Sequence, residues 1–200
     1  MSTRVLLIRH GDNDFVGRTL AGWLPGVHLN RSGRRQAEKL AERLSGAPIR
    51  AIYTSPLERT CETAAPLAAR LGLELRISEG LGEVRLGEWT GRAIRDLEDD
   101  PQWRRFNAAR SSTRIPGGEL MLEVQARMVE AFEGFRRNHP DSMVAAFSHG
   151  DPIRVLLLDA LGMPLDYIHR LEISTAGVSV IELNEWGPTV LRVNDTGELP

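Results

Sequence analysis

The chain has 200 residues, 42% of them hydrophobic and 26% charged, with a formal net charge of -2. That length holds the core of one ordinary globular domain, and the near-neutral balance excludes a global basic field for nucleic acid or an anionic membrane. The single cysteine, Cys61, excludes an intramolecular disulfide and a multi-cysteine zinc site.

Near the start only four apolar residues run consecutively, Val5 to Ile8, too few for a signal-peptide region or a membrane span. With one thiol, a cytoplasmic protein is expected. Arg4 to Ile8 reads as a first strand, and its unbroken apolar run fits a strand buried on both faces. Asp12 to Leu29 has no steady period and carries Gly17, Gly22, Pro25 and Gly26. Loops this long are usually functional or disordered, and this one leaves a strand end, where it could fold over a site.

Ser32 to Leu44 follows helical spacing through Ala37, Leu40, Ala41 and Leu44. Ala51 to Thr54 is a second strand. Ser55-Pro56 reads as N-cap and first residue of a helix with Arg59 in its first turn. Cys61, Ala64, Ala65, Ala68 and Leu71 are its expected buried stripe. Leu73 to Ile77 is a third strand, followed by a loop over Gly80 to Gly91. Ile94 to Asn107 reads as a helix interrupted at Pro101, and Ala108 to Gly118 as a soft loop with solvated arginines, including Arg110.

Glu119 to Asn138 is the longest expected helix, with Met121, Val124, Met128, Phe132 and Phe135 on its apolar face. Met143 to Phe147 is a fourth strand. Asp151-Pro152 is expected to cap the next helix, whose inward face would be Ile153, Leu156, Leu157, Ala160 and Leu161. Arg170 to Ile173, Val178 to Leu183 and Thr189 to Val193 read as further strands, the last two as an edge hairpin. Strands alternating with helices predict a three-layer α/β/α sandwich with a largely parallel, mixed sheet.

Two strand ends carry the same triplet, His10-Gly11-Asp12 and His149-Gly150-Asp151, the first preceded by Arg9. In open α/β sheets ligands sit beyond the carboxyl ends of strands. Arg9, Arg59, His10 and His149 at strand ends, beside helix starts, would make a local cationic pocket on a slightly acidic protein. A phosphate monoester suits it, each charge-assisted hydrogen bond contributing about 1.5–3 kcal/mol. Taken alone, His10 reads as well as a core histidine, and Arg59 as a surface residue. His28, His139 and His169 lie outside these segments and read as surface or structural.

Four blocks sharpen this. Leu7-Ile8-Arg9-His10-Gly11, Thr54-Ser55-Pro56-Leu57-Glu58-Arg59-Thr60, Glu83 to Gly91, and Ser148-His149-Gly150 resemble, in order, the signature segments of the histidine phosphatase superfamily, in its phosphoglycerate mutase-like branch. The resemblance implies one domain of that type over residues 1–200. It implies His10 as the nucleophile that becomes phosphohistidine. Arg9, Arg59 and His149 would hold the phosphoryl oxygens, and Glu83 would act as general acid and then base. No cofactor or metal is implied, because arginines and histidine supply the charge. The substrate is expected to be a small phosphorylated metabolite, with no nucleic acid or membrane partner and the oligomeric state open.

The sequence departs from the family at Val16, where many members place a phosphate-contacting Asn, and Asn13 and Arg18 are the possible replacements. The leading expectation is a metal-independent phosphomonoester hydrolase. The alternatives are a cofactor-dependent phosphoglycerate mutase-type phosphotransferase and a non-catalytic phosphate-ligand binding protein. A zinc hydrolase is disfavoured, since the five histidines include no His-Glu-x-x-His pair.

Overall fold

Strand β1 (Thr3–Arg9) is apolar at consecutive positions because both of its faces are covered. In a computed structural model that describes residues 2–197, Val5 and Leu7 pack into one core layer with Val144 and Ala146. Leu6 and Ile8 pack into a second layer with Ala145 and Phe147. Burying each such aliphatic side chain is worth roughly 1.5–3 kcal/mol, so β1 is anchored from both sides.

The sheet also contains β2 (Ile49–Thr54), β3 (Leu75–Ile77), β4 (Met143–Ser148), β5 (Val178–Asn184) and β6 (Gly187–Asp195), in the order β3-β2-β4-β1-β5-β6. β1 runs parallel to β4, with Arg9 opposite Ser148. The two strands therefore end level, and the residues that follow them leave the sheet side by side. β2 and β3 continue the parallel part, whereas β5 and β6 are antiparallel. The sandwich and its mixed sheet are those the sequence predicts.

Helices α1 (Arg31–Leu44) and α2 (Glu58–Leu71) cover one face through Leu40, Ala41, Ala64 and Leu67. α4 (Met121–Asn138) and α5 (Gly150–Ala160) cover the other with the predicted Met121–Phe135 stripe and Ile153, Leu156 and Leu157. Between them lies α3 (Pro101–Ala108), capped by Asp100, whose Oδ1 accepts from the N–H groups of Gln102 and Trp103. Pro101 thus begins a helix instead of interrupting one, as suits a residue with no N–H to leave unpaired. Ile94–Leu97 is a separate short 3-10 turn.

Several local expectations fail, each for a traceable reason. α2 starts at Glu58, not at Ser55-Pro56, and its cap residue Leu57 offers no side-chain bond. The Ser55 hydroxyl lies 2.8 Å from His149 Nε2 and accepts only a long bond, 3.4 Å, from the Leu57 N–H. Along α2 Cys61 is only half-buried and Ala65 is exposed, with Leu67 taking the inward place. Asp151 is not a cap either: His149 is the N-cap of α5, and the Asp151 carboxylate accepts from Arg110 and Arg154. Leu161 is exposed, while Val155 and Leu158 fill the core. The third strand is shorter than expected, Leu75–Ile77. Arg170 to Ile173 forms no strand. The carbonyls of Leu171 and Ile173 accept from Arg154 and Arg9, so no ladder claims them. Among the described residues, no helix is long and apolar enough to cross a membrane.

Candidate active site

The level ends of β1 and β4 bring His10 and His149 together, with ring centroids 5.3 Å apart. Arg9, His10, Arg59 and Glu83 line a cavity of about 220 Å³ at this rim. His149 lies directly behind it, fully buried, with Nδ1 3.8 Å from Glu83 Oε2. All five predicted residues thus converge. A larger hollow of about 540 Å³, lined by Gln36, Lys39 and Arg43 on α1 and by Ser174 to Ala176, holds none of them.

Each side chain is fixed by a neighbour. His10 Nδ1 lies 2.7 Å from the Gly11 carbonyl. A carbonyl only accepts, so Nδ1 carries the proton and Nε2 keeps its lone pair. Arg9 donates from Nη1 to the Ile173 carbonyl at 2.6 Å, and Arg59 from Nη2 to the Gly22 carbonyl at 2.9 Å. His149 Nε2 meets Ser55 Oγ at 2.8 Å. Ala176, in the left-handed region at φ 57, donates its N–H to the carbonyls of Arg9 and His10 and so pins the end of β1. Gly11 and Gly33 let α1 approach the His10 segment. A Cβ on Gly33 would stand 2.0 Å from the Asp12 carbonyl oxygen.

The electrostatics follow from burial and from the two arginines. Burial, then Arg59 and Arg9, lowers the His10 pKa to about 3, so its imidazole is neutral near pH 7. Burial, Arg59 and His10 likewise hold His149 well below the ordinary range. Burial and then Asp151 raise Glu83, against the pull of Arg59 and Arg9. Arg9 Nε, Arg59 Nη1 and His149 Nδ1 are buried without a hydrogen-bond partner in the protein. Leaving such donors unpaired costs about 1–3 kcal/mol each, and a tetrahedral anion supplies the acceptors they lack.

The outer part of the cavity corrects the sequence reading at Arg110. This side chain is not solvated: it is 6% exposed, donates from Nη1 to Asp151 Oδ2 at 2.6 Å and lies over the Phe106 ring. Burial pushes the Asp151 carboxyl up, but Arg110 and Arg154 outweigh it and bring it to about 2. Phe15, Val16, Leu20, Leu86 and Phe106 supply an apolar wall. The predicted long loop does fold over the site, tied down by Leu20 N to the Arg92 carbonyl and by Ile94 N to the Arg18 carbonyl. Of the two residues left open at the family's Asn position, Asn13 lines the cavity and Arg18 is exposed outside it. Trp89 packs its loop into the core, with Trp103 and Phe106 against its ring. Ser55 and Arg110 escaped sequence reasoning. Ser55 looked like a helix cap, and Arg110 sat in a Ser- and Gly-rich stretch that carried no periodic signal.

Fold and site together define a class of enzyme, an α/β phosphatase built around a histidine at the end of a central strand. A profile of the histidine phosphatase superfamily (branch 1) matches residues 5–196. The chain belongs to this family. It is 30% identical to phosphoserine phosphatase 1 of Hydrogenobacter thermophilus over 98% of this chain and 94% of that one. Among solved structures, Bacillus stearothermophilus YhfR superposes with a TM-score of 0.90 at 28% identity, covering 99% of this chain and 98% of that one. A mycobacterial glucosyl-3-phosphoglycerate phosphatase gives 0.86 at 26% identity, over 97% and 99% of the two chains. Against a longer bifunctional protein of Mycobacterium tuberculosis, 31% identical, the chain spans 55% of that protein's length.

Proposed function

We propose that the chain, acting as one domain, hydrolyses small phosphate monoesters in two in-line steps through a phosphohistidine on His10. The observation that carries this reading is the His10 ring itself. It is buried, neutral and tied through Nδ1 to the Gly11 carbonyl, which leaves Nε2 as the free nucleophile between two arginines.

In the first step the Nε2 lone pair forms the N–P bond as the P–O bond to the leaving group breaks. Glu83, whose pKa burial and Asp151 raise, gives its proton to the departing oxygen. Arg9 and Arg59 follow the phosphoryl charge as it redistributes, and His149 donates from Nδ1. In the second step the Glu83 carboxylate takes a proton from water. The water oxygen bonds to phosphorus, the N–P bond breaks, and inorganic phosphate leaves.

The cavity, about 220 Å³, is smaller than the roughly 300–1,000 Å³ of drug-sized sites. Its apolar wall and the Arg110–Asp151 pair would meet the leaving group. These features support a small metabolite as substrate, in keeping with the activities of the named phosphatases it resembles. A single thiol and a small metabolite substrate both fit a cytoplasmic setting, with neither nucleic acid nor membrane as partner. Incubation with a labelled phosphodonor should trap an acid-labile, base-stable phosphoenzyme that His10→Ala abolishes. Turnover surviving that substitution intact would overturn the mechanism.

A further inference from the structure

The loop that carries Glu83 has little regular structure, with short 3-10 turns at Glu79–Leu81 and Gly87–Trp89. Its backbone is nevertheless gathered by one side chain from the helix packed against it. Arg127, on α4, donates from Nη1 to the carbonyls of Gly80 and Gly82, both at 2.8 Å, and from Nη2 to the Glu83 carbonyl at 3.0 Å. Trp23 Nε1 donates to the same Glu83 carbonyl at 2.6 Å. Glu119 holds the guanidinium in place from the other side, with Oε1 3.0 Å from Nε and Oε2 3.2 Å from Nη2. Glu119 Oε2 also accepts from the Arg85 N–H at 2.8 Å. A planar fork with five donors can span three carbonyls at fixed separations, which an ammonium cannot do.

We infer that Arg127 is a positioning residue for the general acid: its guanidinium, with Trp23, sets the depth and direction at which the Glu83 carboxyl enters the cavity. This rests on the proposed role of Glu83. Arg127 does not line the cavity; its charge also bears on His149, whose pKa it helps to lower, so the part of its effect that passes through proton transfer is the part that varies with the leaving group. A carboxyl displaced by about 1 Å loses much of a contribution that is typically on the order of 10²–10⁴-fold.

The test is the leaving-group dependence of kcat/KM across substituted aryl phosphates, from p-nitrophenyl to unsubstituted phenyl. A good leaving group departs without a proton and a poor one needs it. Glu83→Gln should therefore steepen the dependence. Arg127→Met should steepen it as well, losing roughly ten- to a hundredfold on phenyl phosphate and about threefold or less on p-nitrophenyl phosphate. In the Glu83→Gln background Arg127→Met should add nothing on phenyl phosphate. Arg127→Lys, which keeps charge without the fork, should behave like Arg127→Met. Trp23→Phe should give a weaker form of the same pattern, and these two variants carry the comparison if Arg127→Met does not fold. Equal losses on all substrates in the Arg127 and Trp23 variants, with Glu83→Gln still selective, would overturn the positioning role. A dependence in Glu83→Gln no steeper than that of the wild type would instead overturn the general-acid reading on which it rests.

Discussion

The triplet His-Gly-Asp occurs at the ends of both β1 and β4, and almost nothing about the two copies is alike beyond that. His10 bonds back to its own chain through Nδ1, whereas His149 is held through Nε2 by Ser55 from another strand end. Opposite ring nitrogens are therefore left toward the site. Gly11 lies against the backbone of α1, and Gly150 faces the guanidinium groups of Arg9 and Arg154. Asp12 accepts from Asn30 and tethers the start of α1, while Asp151 pairs with Arg110 and Arg154 at the cavity. An identical sequence at two equivalent places acquires its role from whatever packs against it.

The largest expected effect separates the histidines. His10→Ala should lower kcat on the order of 10⁵–10⁶-fold by removing the nucleophile. His149→Ala should cost on the order of 10²–10³-fold, the value of one donor to the transition state. Comparable losses would erase the division between nucleophile and clamp. The second prediction concerns acid. Because the folded-state pKa of His10 is lowered from 6.5 to about 3, its contribution to stability is fully present above about pH 6.5. It is lost as the pH falls toward 3, and His149 acts with the same sign. Urea unfolding at pH 7, 5 and 4 should show this slope, and the double variant His10→Asn, His149→Asn should flatten it.

The glycines give a smaller contrast. A Cβ on Gly11 would lie 2.8 Å from the Gly33 carbonyl oxygen, a backbone atom that cannot yield without moving α1. Gly11→Ala should cost about 1–3 kcal/mol by denaturant titration. At Gly150 the nearest atom is Arg154 Nη1 at 3.4 Å, so Gly150→Ala should stay within about 1 kcal/mol. The smallest expected effect belongs to the aspartates. The Asp151 charge raises the Glu83 pKa. Asp151→Asn should therefore move the basic limb of the kcat/KM profile toward lower pH, while Asp12→Asn leaves it in place. An unmoved limb in Asp151→Asn would uncouple that carboxylate from the acid.

What could be read in advance was whatever leaves a periodic or positional trace. The unbroken run Val5 to Ile8 announces a doubly covered strand, and the Met121 to Phe135 spacing announces α4. The family blocks name His10, Arg9, Arg59, Glu83 and His149, which the fold gathers at one rim. Contacts made by single polar atoms across the fold leave no such trace. Ser55 satisfies the pattern of a helix cap, yet its hydroxyl faces His149. Asp151 satisfies the same pattern, yet two arginines claim both its oxygens. Arg110 sits in a stretch without pattern and is buried by Phe106 and Asp151. Arg127 lies one position before Met128 of the apolar stripe, where a helix surface normally meets solvent.

The order of strands in the sheet also has a bearing on how the protein is made. Of these six strands β1 is made before the others, but its neighbours are β4 and β5, with Arg4 opposite both Met143 and Glu182. Among the described residues, a chain ending before Met143 holds the β2–β3 pair, three residues long, and the isolated Thr19–Ala93 bridge. Until then the Val5 to Ile8 edge stays open on both sides, the kind of apolar edge that chaperones cover and that aggregates when they do not. Folding that depends on such distant pairing is slow compared with helix formation. His149 follows directly on β4, so the two histidines can meet only once β1 has gained that neighbour.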